Sequence, residues 1–259
     1  MLRTLCALLL ALPVAALADD PPAASPAGPA VPAGPNLARI DELYMKRGDP
    51  GAAKEEEALL AGAMKAAPDD PQVLWRQARW HSWKADDMGE GEAKKKLGKE
   101  IWALGDKVAR LRPDMAEGYY YGALGVAQYS QGAGILNALA EGLEGKFNQR
   151  LDKSIQIDAS LDSGGPMSTK GRYFYELPWF LRNLTKSAEW LNRCLAKHPE
   201  SLRCRLYLAE TLLADGKARE AKVQIDQVMN GSGAYDPAEA ALIKARGKKV
   251  QSQIEKELR

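Results

Sequence analysis

Two tryptophans and one arginine are spaced so that they can share one face of a helix. Trp75 and Trp83 are eight residues apart, and Arg79 lies midway between them. Because an α-helix returns to the same face after about four residues and again after about eight, the three side chains form one stripe. Indole rings can grip an extended peptide or an apolar ligand, and a guanidinium can fix a carboxylate. The stripe therefore favours a binding face, although aromatics that only fill a wide space between helices would show the same spacing.

The sequence has few residues suited to catalysis or to metal binding. It contains two histidines. His198 precedes Pro199 where a helix is expected to end, so a positive charge there would face the last carbonyl groups of that helix. His81 lies on an aromatic helix and is expected to have a packing role. Neither a nucleophile with its base nor a metal-ligand spacing accompanies them, so we expect a protein that is not an enzyme and uses no cofactor or metal.

A Gly-rich segment at 131–145 separates two expected helices. Its glycines do not follow a strand and lack the Lys-Ser/Thr ending of a phosphate loop. We expect them to interrupt the helix, so that an apolar helix forms between them from Ile135, Leu136, Leu139 and Leu143. This helix either covers the core of the protein or acts as a lid or lipid-contacting flap, since the glycines that flank it permit movement.

The balance of charges excludes one class of partner. The chain has 46% hydrophobic and 27% charged residues, which is typical of soluble globular proteins. Its 36 basic and 34 acidic residues are interspersed and give a formal net charge of +2. This balance creates no large field to attract nucleic acid, so we expect no nucleic-acid partner. The one basic cluster, at 94–96 with Lys99, is expected to be a solvated helix face.

The first 18 residues have the pattern of a secretory signal. Arg3 supplies the positive start, 5–16 the apolar stretch, and Ala16-Leu17-Ala18 a cleavage site of small residues, so we expect cleavage before Asp19. The apolar run is shorter than the roughly 20 residues that span a bilayer. The mature chain is therefore expected to have no membrane span.

The segment that follows the expected signal is a candidate tether. Residues 19–35 are almost entirely Pro, Ala, Gly and Ser, a composition that cannot bury enough apolar surface to offset the entropy of ordering. We expect a disordered linker here and a folded domain at 36–259. An exported protein of this kind would be periplasmic or secreted.

Two cysteines remain after the expected cleavage, and they lie on either side of Pro199. Cys194 falls near the end of one expected helix and Cys204 near the start of the next. This arrangement can join them across a helix hairpin, and an exported protein favours a disulfide. Two buried free thiols are the alternative, because cysteine is also a common core residue.

From residue 36 onward, apolar residues recur at intervals of three and four, which predicts an all-α fold. Helices are expected in five consecutive pairs: 37–46 with 51–66, 72–84 with 97–111, 116–131 with 146–157, 168–176 with 184–197, and 202–214 with 218–229. A charged stretch at 86–96 is expected as an insertion within the second pair. The helix at 237–258, which is highly charged, is expected to cap the stack as a solvating helix. Three junctions share a proline ten residues before a small residue: Pro68 before Ala78, Pro113 before Ala123 and Pro199 before Ala209.

The fifth pair resembles the tetratricopeptide family. Its small and apolar positions match those of the repeat, on Leu208-Ala209, Asp215-Gly216-Lys217, Glu220-Ala221, Ile225 and Val228. The same register extends to the second, third and fourth pairs, whereas in the first pair Glu56 occupies the expected small position. The resemblance implies an α-solenoid of about five degenerate tetratricopeptide-like hairpins with a C-terminal capping helix.

In that family the first helix of each pair lines a concave groove, and the resemblance assigns positions of this chain to it. These are Trp75, Arg79 and Trp83 in the second pair, Tyr120 and Gln128 in the third, and Arg172, Tyr175 and Glu176 in the fourth. Tyr119 and Tyr121 flank the groove position and are expected in the core. The groove implies a protein or peptide partner, or a small apolar ligand.

A second resemblance concerns the C-terminal half of the chain. It rests on Gly164-Gly165-Pro166-Met167, followed by Gly171-Arg172-Tyr173 and Leu177-Pro178-Trp179, and then by the helix at 184–197 and the fifth pair. This arrangement is similar to the periplasmic T components that accompany the solute-binding proteins of TRAP transporters. Two functions are therefore expected. The first is an exported, non-enzymatic scaffold that binds its partner in the groove, and the alternative is an accessory component of a TRAP-type transport system with a periplasmic solute-binding protein as partner.

Overall fold

The computed structural model describes residues 35–134 and 140–259. The expected signal at 1–18, residues 19–34 of the expected tether and residues 135–139 of the expected apolar helix lie outside the described residues. Leu143, the last apolar residue of that helix, is buried and begins the next helix.

Short local signals begin many of the helices. Six of those described start after a side chain that accepts a backbone N–H of the first turn: Asn36, Asp49, Asp70, Asn183, Ser201 and Asp236. Three of these caps precede a proline, whose missing N–H is not needed at the first helical position. The start of these helices is thus fixed by residues next to it in the chain.

The helices of the described ranges, in chain order, have the following bounds. They are α1 Leu37–Met45, α2 Pro50–Ala66, α3 Pro71–Asp86, α4 Glu92–Leu111, α5 Ala116–Ala133, α6 Leu143–Asp158, α7 Leu161–Glu176, α8 Leu184–Lys197, α9 Leu202–Ala214, α10 Ala218–Asn230 and α11 Pro237–Glu257. Most bounds agree with the sequence analysis. The stretch at 86–96 is shorter than expected, because α4 begins at Glu92.

The helices pack as a succession of hairpins, α1 with α2 through α9 with α10. The first helices of successive pairs contact one another in the order α1, α3, α5, α7, α9, and α11 packs against α9 and α10. This arrangement confirms the prediction of an all-α solenoid of five hairpins with a C-terminal capping helix. The charged α11 is more than a solvating helix, since it buries Ile243, Val250 and Ile254.

A seam of glycines brings α4 and α5 together. A Cβ atom on Gly105 would lie 2.3 Å from the backbone N of Gly122, and one on Gly125 would lie 2.2 Å from that of Trp102. Gly98 and Gly132 come similarly close to the partner helix. Because side chains would force the helices apart, these glycines allow the backbones to touch. The seam fixes α5, whose other side lines the concave face of the solenoid.

Two charged side chains are buried where the sequence predicts something else. A solvent-exposed side chain is expected at Lys94, and a small residue is expected at the position of Glu56. Lys94 is buried and its Nζ donates to the carbonyl O of Met88 at 3.1 Å, so the expected solvated face is wrong for this lysine. Glu56 is fully buried, and neither carboxylate oxygen has a hydrogen-bond partner among the described residues. Burial raises the pKa of Glu56 to about 7.

None of the described helices combines the length and apolar character needed to cross a membrane.

Candidate ligand-binding cavity

The two ends of the solenoid are joined by an ion pair. Arg47 follows α1 and Asp236 precedes α11, and Arg47 Nη2 lies 2.7 Å from Asp236 Oδ2. The side chains are 2% and 9% exposed. Gly48 packs close to Ala238 beside this pair. We call the Arg47–Asp236 pair the clasp, because it joins residues 189 positions apart and bounds the concave face.

The concave face contains a cavity of about 270 Å³. Its walls come from α1, α3, α5, α6, α7, α9 and α11. Seven aromatic side chains line it: Tyr44, Trp83, Tyr120, Tyr121, Phe147, Tyr173 and Tyr207. Some of these rings are held by contacts with each other, such as Phe147 with Tyr173 at 5.4 Å between centroids. An aromatic lining of this kind offers flat, apolar surfaces to a ligand.

Five arginines also line the cavity: Arg47, Arg79, Arg172, Arg203 and Arg246. Arg79 Nη2 lies 2.7 Å from Asp41 Oδ1, and its guanidinium lies 3.8 Å from the centre of the Tyr44 ring. Arg172 pairs with Glu176 and Glu210. The structure therefore gives Arg79 a partner inside the protein, where the sequence suggests a ligand carboxylate.

Arg203 and Arg246 differ in how completely they are paired. Arg203 pairs with Glu239, and its Nη1 lies 3.1 Å from Asp162 Oδ2. Arg246 is 40% exposed and its nearest ion-pair partner among the described residues is Asp87, at 3.8 Å. Most of the positive charge of the cavity is thus already balanced by acids of the protein.

An acceptor site lies where α3 and α5 face each other. Gln128 Nε2 donates to Asp86 Oδ1 at 2.8 Å. When Asp86 is ionised it can only accept hydrogen bonds, so the amide nitrogen of Gln128 faces it and this contact orients the amide. Gln128 Oε1 is buried and has no hydrogen-bond partner among the described residues. Burial raises the pKa of the Asp86 carboxyl. We call Asp86 and Gln128 the acceptor pair.

A strained turn at the start of α7 forms another part of the wall. Asp162 and Ser163 have left-handed backbone conformations, with φ of 52° and 53°. Non-glycine residues held there cost about 1–3 kcal/mol each, so surrounding contacts must stabilise the turn. Arg203 holds Asp162. The regular helix resumes after Gly164, and Pro166 then falls in its first turn, where no N–H is needed.

The glycines of this turn are needed because the turn lies close to two neighbours. A Cβ atom on Gly165 would lie 2.6 Å from Tyr120 Oη, and one on Gly164 would lie 2.6 Å from Cys194 Sγ. Cys194 is bonded to Cys204, with 6.4 Å between their Cα atoms, and the bond joins α8 to α9. The start of α7 is thus the place where this turn, the disulfide and the cavity wall meet.

Six of the eight groove residues assigned from the sequence line the cavity: Arg79, Trp83, Tyr120, Gln128, Arg172 and Glu176. Trp75 does not, since the cavity meets only the C-terminal half of α3. Its ring is stacked on Tyr121 at 6.2 Å, and its Nε1 donates to Gln72 Oε1 at 3.0 Å. Tyr175 lines a separate pocket with Glu210 and Leu213.

Sequence reasoning missed several residues of the site. Tyr121 is buried, as expected for a core residue, but it also lines the cavity. Arg203 and Tyr207 are four residues apart on the first helix of the fifth pair and share one side of it. They lie outside the register of the second and third pairs, which would point to Leu206 and Glu210 instead. Asp86 lies three residues after Trp83 and would have been found by extending that stripe by one turn.

The histidines lie outside the cavity lining. His81 Nε2 is 2.6 Å from Gln77 Nε2, and burial lowers the pKa of His81. His198 lies at the end of α8, with Nδ1 3.3 Å from Glu200 Oε1. In the part of the chain that the structure describes, no three His, Cys, Asp or Glu side chains are grouped so that they could hold a metal ion.

Comparison with known proteins gives one line of support for the fold. No protein-family model matches the chain, and no curated protein sequence matches it. A solved structure does match, that of a thermophilic TPR protein from Thermus thermophilus. The two share 18% sequence identity with a TM-score of 0.62, over 83% of this chain and 96% of that one. The protein therefore has the tetratricopeptide-like α-solenoid fold.

Proposed function

We propose that this protein is an exported, non-enzymatic helical-repeat protein that binds a small, largely aromatic or apolar ligand in the cavity. The observation that carries this proposal is the aromatic lining of the concave face. The clasp joins the two ends of the solenoid beside this lining. An extended peptide or a protein surface needs an open groove. Here Tyr120, Tyr121 and Gln128 are buried, so a large partner would not reach them.

The size of the cavity agrees with a small ligand. At about 270 Å³ it is near the lower end of the roughly 300–1,000 Å³ of small-molecule sites. The rings of Trp83, Phe147 and Tyr207 would cover the faces of an apolar body. Such burial of apolar surface is the main source of affinity in sites of this kind.

The acceptor pair supports a further property of the ligand. An unpaired buried carbonyl oxygen is unfavourable by about 1–3 kcal/mol, and a ligand N–H or O–H would remove this penalty once a small shift of the Gln128 side chain opened Oε1 to the cavity. Since four of the five arginines already pair closely with acids, a ligand carboxylate would gain little from them. We therefore expect a ligand with an apolar ring system and a hydrogen-bond donor.

Native mass spectrometry of the protein purified from its own envelope tests this proposal. We expect a bound small molecule that is released on unfolding. Gln128→Leu should weaken its binding by about 1–3 kcal/mol, because the ligand donor would lose its acceptor. Tyr175→Phe, outside the cavity, is the matched control and should keep full occupancy. A protein without bound ligand, or equal occupancy in Gln128→Leu, would contradict the proposal.

The similarity to the T components of TRAP transporters stays a prediction. The feature that favours it is the turn at Gly164 and Gly165, which belongs to the segment that resembles the T components. This turn packs against Tyr120, a residue of the cavity wall. A transport role predicts that a periplasmic solute-binding protein co-purifies with the mature chain. Recovery of the small ligand without such a partner would favour the scaffold alone.

A further inference from the structure

An apolar patch lies on the outside of the molecule, in the turn between α7 and α8. Trp179, Phe180 and Leu181 are 84%, 59% and 45% exposed. The rings of Trp179 and Phe180 meet edge to face with 5.6 Å between centroids, so the three side chains form one surface. Tryptophan rarely leaves this much of its surface in water, because its ring gains much from burial.

The turn that carries the patch is fixed by its own backbone. The N–H groups of Leu181 and Arg182 donate to the carbonyl O of Pro178, at 2.8 and 2.9 Å. Asn183 N donates to the carbonyl O of Phe174 at 3.0 Å. Leu177 anchors the turn in the interior. The exposed rings are therefore presented by an ordered turn.

A row of positive charges continues from this patch along α8. Lys186, Arg193 and Lys197 are exposed and follow at intervals of seven and four, so they lie on one side of the helix, with Arg182 four residues before the first of them. None of these four cations forms an ion pair with any residue that the structure describes. Glu189 is the one acid of α8, so the row has an excess of positive charge.

We propose that the apolar turn and the basic row together bind the surface of an anionic lipid bilayer. Trp and Phe side chains favour the interface between water and hydrocarbon, and Lys and Arg are attracted to anionic headgroups. A protein partner would require acidic groups placed opposite each cation, whereas a bilayer offers negative charge at every position. The charge of the row therefore favours a lipid surface. This contact is peripheral and independent of what the cavity binds.

Co-sedimentation of the mature chain with phospholipid vesicles tests the proposal. We expect binding to vesicles that contain phosphatidylglycerol, with weaker binding to pure phosphatidylcholine and at high salt. Trp179→Ser with Phe180→Ser should lower the bound fraction strongly, and Lys186→Glu with Arg193→Glu should do the same. Val223→Ser is the matched control, because Val223 is 54% exposed on α10 and away from the turn.

A second measurement separates loss of binding from loss of folding. The exchanged side chains are exposed, so circular dichroism and the thermal midpoint should stay unchanged. Brominated lipids should quench the fluorescence of the wild type more than that of Trp179→Phe. Failure to bind anionic vesicles, or equal binding by all variants, would overturn the proposal. Capture of a protein through Trp179 without vesicle binding would assign the surface to a protein partner and overturn it as well.

Discussion

Glu56 shows how a single side chain can set the pH dependence of this protein. It occupies the position that holds Ser187 in the fourth pair and Ala221 in the fifth, and its carboxyl group is fully buried. Electrostatic attraction to Arg79 and Arg47 lowers its pKa, but burial outweighs this and raises the pKa to about 7. At neutral pH the folded protein must therefore hold a carboxyl group that is partly charged and without a hydrogen-bond partner among the described residues.

Glu56→Gln should make the protein more stable at alkaline pH. A carboxyl group whose pKa is higher in the folded than in the unfolded chain binds more protons when folded. Its contribution to stability is complete below the unfolded pKa of 4.5 and is lost as the pH rises toward 7. We expect Glu56→Gln to raise the free energy of unfolding at pH above 7 by roughly 1–3 kcal/mol. Urea unfolding at acidic and alkaline pH measures this.

The control for this prediction is the neighbouring exposed glutamate. The pKa of Glu55 is lowered by its hydrogen bond with Arg39, so it titrates below the pH window in question. Glu55→Gln should leave the difference in stability between mildly acidic and alkaline pH unchanged. An equal pH dependence in wild type and Glu56→Gln would show that Glu56 is not the group responsible.

At the scale of elements, the glycine seam positions the helix that carries much of the cavity lining. Gly98 and Gly105 are seven residues apart on α4, and Gly118, Gly125 and Gly132 repeat at the same interval on α5. An interval of seven residues keeps them on one side of each helix. This spacing can be read from the sequence. Gly132 is nevertheless expected from the sequence to break the helix, whereas it lies inside α5. The seam holds Tyr120, Tyr121 and Gln128 in register with α3.

Gly125→Ala should destabilise the protein, because its new methyl group would lie 2.2 Å from the backbone of Trp102. Backbone shifts of this kind cost about 1–3 kcal/mol or more. Gly62→Ala is the matched control, since Gly62 is an exposed helical glycine on α2 with nothing within 4 Å of the added atom. There we expect a gain of up to about 1 kcal/mol from helix propensity. Thermal or urea unfolding of both variants checks the difference, and equal effects would contradict the role of the seam.

The helices were largely predictable because their signals are local. Amphipathic periodicity and caps such as Asp70 and Ser201 act within a few residues of the helix start. The cavity was only partly predictable, because its lining depends on how far the stack of hairpins curves. Trp75 and Trp83 share a helix face, yet only Trp83 reaches the cavity. The partner of Arg79 lies on another helix, so no pattern within α3 could reveal it.

For the whole molecule, the clasp decides the shape of the concave face. It is nearly inaccessible to water, and its arginine also lies 4.0 Å from the Tyr44 ring and 4.2 Å from the Trp83 ring. Arg47 thus joins the two ends of the solenoid and also contacts two aromatic rings that line the cavity. Loss of one partner from a buried ion pair leaves the other charge uncompensated.

Arg47→Met should destabilise the protein by about 3–5 kcal/mol, since Asp236 would remain buried and unpaired. Adding Asp236→Asn should restore part of this loss, because asparagine carries no charge and can still cap α11. Urea unfolding measures both variants, and small-angle X-ray scattering should show a larger radius of gyration in Arg47→Met. Arg112→Ala, which breaks the exposed pair with Asp114, should change neither quantity. A closed, fully stable Arg47→Met would contradict the role of the clasp.

The clasp also bears on how this protein can change over evolutionary time. Linear repeat proteins tolerate gain or loss of a unit, because each repeat contacts only its neighbours. In this chain one additional hairpin would move Asp236 away from Arg47 and open the cavity. The number of repeats is therefore constrained by the contact between the first hairpin and the start of the capping helix, and duplication, the ordinary route by which such arrays grow, would here break that contact.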